Sequence, residues 1–150
     1  MAFPIRFRNS DEIASVVHKL ENCEYRKDEF THALHLPVAA WYLSHFSREE
    51  SLDRMRSALL RFTQHHGVTG YHETITRFWL RLTEDFLQQG HPDSPLADRV
   101  NELIERFGRK DLLFDYYSRT RVMSDEARNG WVEPDLQPFT IDDTPFRDRK

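Results

Sequence analysis

Apolar residues recur every three or four positions in separate runs along this sequence. Ile13, Val16, Val17 and Leu20 form the first run. Ala39, Tyr42 and Phe46 form the second, and Leu52, Met55, Leu59 and Phe62 the third. Ile75, Trp79, Leu82 and Phe86 follow, then Leu96, Val100, Leu103 and Phe107. At 3.6 residues per turn each run lies on one helix face, whereas a strand would need strict alternation. The chain has only 5 Gly in 150 residues. A sandwich or barrel needs many tight turns, so all-β folds are disfavoured. The expected class is all-α: a bundle of four main helices with one or two accessory helices, forming a single domain over 1–150.

The boundaries follow from capping chemistry. Asn9 or Ser10 caps a first helix over 10–22, with Asp11 and Glu12 at its positive end. Thr31 precedes a second helix that reaches Phe46. Pro37 within it implies either a later start or a kinked first turn. Ser47 and Glu50 have capping-box spacing at the head of a third helix, which Gly67 stops. Thr69 or Gly70 introduces a fourth, over 71–88, with His72 at the head of its stripe. Ser94 followed by Pro95 opens a fifth, which Gly108 ends. Asp111 opens a short sixth helix through Tyr117, and Ser124 caps one further turn. Beyond Asn129 the pattern changes. Pro134, Pro138 and Pro145 alternate with Trp131, Leu136, Phe139 and Ile141. Apolar anchors between prolines suggest an extended strap packed on the helices over about 129–141, with 142–150 mobile.

Several classes are excluded. No run approaches 18 apolar residues, and the first twelve residues lack an apolar core. A single Cys rules out a disulfide framework. Cys23 sits in a polar segment with no activating neighbour. Net charge is −4, with 21 basic and 25 acidic residues, the wrong balance for a general nucleic-acid binder. The expectation is a cytoplasmic protein with no nucleic-acid or membrane partner. A small-molecule ligand is expected, with a second copy of the chain as a further partner through the strap.

The eight His carry the sharpest functional signal. His32 and His35 are three apart and share a helix face. That face continues through Ala39, Tyr42 and Phe46 into the bundle. His72, near a helix N-terminus, meets a positive dipole that favours neutral imidazole, the form that binds metal. The second and fourth helices run parallel in an up-down bundle, so all three imidazoles converge at one end. Three neutral nitrogens leave an open position on a divalent transition metal: zinc first, with nickel, cobalt or iron as alternatives. On this reading the protein is a metal-dependent hydrolase or other Lewis-acid catalyst. Glu73 is its fourth ligand or general base, Glu29 the second carboxylate candidate. Tyr42 and Trp79 wall the substrate pocket, and Arg77, Arg119 and Arg121 orient an anionic substrate. The competing reading is a non-catalytic binding, interaction or regulatory module whose buried His residues are structural, with Glu73 paired to Arg77. His65 and His66 suit the negative end of the third helix. His45 points to the opposite end of its helix from His32, and His18 and His91 fall on the surface or in loops.

Two segments stand out together: Phe30-Thr31-His32-Ala33-Leu34-His35-Leu36 and Tyr71-His72-Glu73-Thr74-Ile75-Thr76. Together they resemble a family of small uncharacterised bacterial helical proteins with F-x-H-x-x-H-[LV] followed by Y-H-E-T-[IL]-T. Trp131-Val132-Glu133-Pro134-Asp135-Leu136 resembles the C-terminal stretch of that family, so the similarity spans about 25–138. It implies that His32, His35 and the His72–Glu73 pair act as one unit, and it brings no activity with it.

Overall fold

The computed structural model describes residues 6–90 and 93–138. His91, the strap anchors Phe139 and Ile141, and the tail over 142–150 lie outside the described residues. The described chain is all-α, without strands. Five long helices come first: α1 (Ser10–Glu21), α2 (His32–His45), α3 (Arg48–His65), α4 (Glu73–Gln89) and α5 (Leu96–Phe107). A 3₁₀ turn at Lys110–Leu112 leads into three short helices, α6 (Leu113–Tyr116), α7 (Arg119–Val122) and α8 (Asp125–Asn129).

The architecture is set by α2. Leu36, Pro37, Val38, Ala39 and Ala40 are five consecutive buried residues, so the middle of this helix has no wet face. A helix that is apolar all round must be enclosed, and α1, α3, α4 and α5 all pack against α2. Its most extensive contact is with α4. α5 matches α1 in length at 12 residues and lies against α1, α2 and α4. The main apolar cluster runs from Phe7 to Val132 and includes Ile13, Leu20, Leu36, Phe78 and Leu103. Each such side chain contributes about 1.5–3 kcal/mol when fully buried.

The caps largely follow the sequence. Asn9 Oδ1 accepts from Glu12 N at 3.1 Å, Ser47 Oγ from Glu50 N at 3.1 Å and Ser124 Oγ from Ala127 N at 3.1 Å. Three details differ. α2 starts at His32 and runs straight through Pro37. Pro37 lacks only the N–H that would bond the Ala33 carbonyl, and Ala33 is partly exposed to water. α5 begins at Leu96, with Pro95 rather than Ser94 at the cap position. α4 begins at Glu73, which leaves His72 just outside it as the N-cap.

Two helices end in the same motif. After α3, Gly67 has φ +67°. Its N–H bonds to Gln64 O, and Val68 N–H bonds to Thr63 O. After α1 the equivalent position is Cys23, with φ +57°. Cys23 N–H bonds to Leu20 O and Glu24 N–H to Lys19 O. Both are Schellman closures, and the second places a side-chain-bearing residue where glycine is favoured.

From Gly130 the chain is extended and lies on the helices through specific hydrogen bonds. Thr74 Oγ1 donates to Gly130 O at 2.6 Å and accepts from Val132 N at 3.1 Å. The buried Tyr117 hydroxyl donates to Val132 O at 2.7 Å. Ser118 donates from both N and Oγ to the Asp135 carboxylate at 2.8 and 2.6 Å. Leu136 N bonds to Tyr116 O at 2.9 Å. No described helix is long and apolar enough to cross a membrane.

Candidate functional site

The start of α2 and the start of α4 meet around one cavity of about 220 Å³. Its wall is mostly aromatic and aliphatic: Phe30, Phe62, Tyr71 and Trp79, with Met55, Leu59 and Leu80. His35, Thr63, His72 and Thr76 supply the polar side chains. Of the expected site residues, His35, His72 and Trp79 line this cavity, and His32, Glu73, Tyr42, Arg77 and Arg119 do not. Phe62 and Met55 were legible only as core, and the rim residue Thr63 gave no signal.

His35 sits one turn into α2. Its Nδ1 donates to Thr31 O at 3.1 Å, and its ring packs on Phe30 at 4.5 Å between centroids. Burial pushes its imidazole down to about 4, outweighing the stabilising bond to Thr31. His32 lies 6.3 Å away, ring to ring. It faces Trp79 at 4.2 Å, with Nε2 at 3.4 Å from Phe107 O. Burial lowers its pKa as well, and Lys110 adds to the effect.

His72 is engaged at both nitrogens. Nδ1 accepts from Ile75 N at 3.1 Å, capping α4. Nε2 donates to Val122 O at 2.6 Å, tying α4 to the end of α7. The ring is thus a neutral Nε2–H tautomer, and burial holds its pKa below the ordinary value. A metal bound by His32, His35 and His72 would require His72 to give up at least one of these bonds. Among the described residues, no group of three or more His, Cys, Asp or Glu side chains is placed to hold a metal ion.

Glu73 is held in an ion pair. Arg56 donates to it from Nη2 at 2.6 Å and Nε at 3.0 Å, and the Tyr71 hydroxyl donates at 2.6 Å. Arg77 stands 3.9 Å away. Burial alone would raise this carboxyl, but the bonds from Arg56 and Tyr71 keep it below the usual carboxylate range. A carboxylate so paired is a poor proton acceptor. Glu29 accepts from the backbone N of Arg26 at 2.7 Å and lies in an exposed loop.

The remaining candidates lie elsewhere. Tyr42 is fully buried, and its hydroxyl donates to Glu21 at 2.6 Å. Burial, then this carboxylate, raises its pKa. Arg77 lies over the Trp131 ring at 5.6 Å. Arg119 is exposed and lies over Phe114 at 4.5 Å, while Arg121 donates to Glu133 O at 2.6 Å. His66 is the C-cap of α3, with Nε2 at 3.0 Å from Tyr25 O. His45 stacks on Trp41 at 4.0 Å.

One polar feature had no local sequence signal. Arg81, Thr83, Glu84 and Asp85 of α4 are buried. Glu84 meets Arg48 of α3 at 2.7 Å, with both side chains nearly enclosed. No family model, curated protein or solved structure matches this chain.

Proposed function

We propose that this chain is a non-catalytic binding module that holds a small molecule between α2, α3 and α4. The supporting observation is the 220 Å³ cavity, whose aromatic wall and few polar groups are typical of ligand sites. A dry apolar cavity of about 150 Å³ is large enough for benzene. Both segments that carry the family resemblance contribute to this wall: Phe30 and His35 from the first, Tyr71, His72, Ile75 and Thr76 from the second. The catalytic alternative has less support, because Glu73 is paired with Arg56 and His72 is bonded at both nitrogens. A larger depression of about 710 Å³ beside Glu21, Asp53, Arg54 and Arg61 is less suited. Arg54 is paired with Glu50 and Asp53 with Arg56.

Benzene titrated into protein labelled at Met and Ile methyls tests the proposal. Resonances of Met55 and Ile75 are expected to shift saturably. Thr63→Trp, at the partly exposed rim, should fill the cavity and abolish those shifts while the fold persists. Shifts confined to surface methyls, or identical shifts in the filled variant, would refute it.

A further inference from the structure

The cavity wall is uneven in its hydrogen-bonding capacity. Tyr71 gives its hydroxyl hydrogen to Glu73. Thr76 gives its own to His72 O at 2.9 Å, and Thr63 to Leu60 O at 3.0 Å. His72 spends both nitrogens. His35 donates from Nδ1 to Thr31 O. A carbonyl only accepts, so neutral His35 is the Nδ1–H tautomer and its Nε2 is a bare lone pair. No described residue hydrogen-bonds to that Nε2. A ligand therefore meets unspent lone pairs on His35, Thr63 and Thr76, whereas the Tyr71 oxygen is engaged by Arg56 and Thr76. Among the described residues that line the cavity, one side-chain donor, the indole N–H of Trp79, has no acceptor. No charged side chain lines the cavity.

We infer that the ligand is a neutral aromatic molecule carrying an N–H or O–H group that donates to His35 Nε2. This rests on the cavity being the binding site. An anion would leave water without meeting a cation, a costly transfer. A purely apolar ring would bury the Nε2 acceptor unsatisfied, which also costs affinity. A ring with one donor satisfies both constraints. The depressed pKa of His35 keeps Nε2 in its accepting form at neutral pH.

The test is a calorimetric titration with indole and benzofuran, which share a bicyclic shape and differ in one N–H. Wild type is expected to favour indole relative to His35→Leu, whose indole-to-benzofuran affinity ratio should fall by about tenfold. His35→Gln, which keeps an acceptor, should retain most of the preference. An unchanged ratio in folded His35→Leu, with both probes binding, overturns the inference and leaves the pocket standing. Binding of neither probe overturns both. If His35→Leu does not fold, long-range ¹H–¹⁵N spectra of wild type give the answer. Indole should move the His35 Nε2 resonance and benzofuran should not; equal movement with both overturns the inference.

Discussion

Cys23 occupies a conformation that disfavours any side chain. At φ +57° its Cβ crowds the backbone, a strain of about 1–2 kcal/mol for most L-residues. Its thiol makes only a long contact to Arg61 O at 3.8 Å. Cys23→Gly is therefore expected to raise the unfolding free energy by about 0.5–1 kcal/mol, less than the full strain because glycine also loosens the unfolded chain. Urea denaturation under reducing conditions measures this, and a drop in stability would contradict it. His72 presents the opposite case, a side chain that fits its position at two atoms. His72→Ala removes the α4 cap and leaves Val122 O without its donor, at an expected cost of about 2–3 kcal/mol. His72→Asn restores a capping oxygen and should recover about half of that loss.

At the level of elements, much was legible because caps are local chemistry. Asn9, Ser47 and Ser124 act where their spacing indicated. Gly67 takes the positive φ that ends α3. At Gly108, after α5, an added Cβ would strike the Ile104 carbonyl. The start of α4 was misplaced because histidine is not a usual cap, and its role depends on Val122, fifty residues on. The burial of Glu84 was invisible because its partner Arg48 belongs to another helix. The stripe argument brought His35 and Trp79 to one place but misdirected Tyr42. On an enclosed helix no single face is the core face, and Tyr42 turns to Glu21 of α1 instead. The extended segment after Gly130 gives a prediction of its own. Tyr117→Phe deletes the donor to Val132 O and should lower stability by about 1–2 kcal/mol. Amide exchange at Val132 and Leu136 should quicken more than exchange in α2, whereas uniform quickening would assign the loss to the core.

For the molecule as a whole, three imidazoles at the starts of α2 and α4, two of them lining the cavity, set an acid limit. His32, His35 and His72 all have folded pKa values below the unfolded value. The unfolded chain then binds protons that the folded chain refuses, so stability rises with pH across that window. Unfolding free energy should be level above about pH 7. It should fall from about 6.5 toward the His35 value of about 4. Urea midpoints at pH 7.5, 6 and 5 measure the slope, and His35→Gln should flatten it. Carboxylates held low by hydrogen bonds, such as Glu73 and Asp135, add a further loss only when pH drops through their own range.

The enclosed α2 also bears on how the chain is made. Synthesis runs from the N-terminus, and three of the four helices that cover α2 are translated after it. Until Phe107 has left the ribosome, the apolar circumference around Leu36–Ala40 lacks its last neighbour. A nascent chain stalled between His45 and Leu96 would present that surface to chaperones or to other chains, since exposed apolar surface drives association. The helix that organises the finished protein is thus its most vulnerable segment during translation.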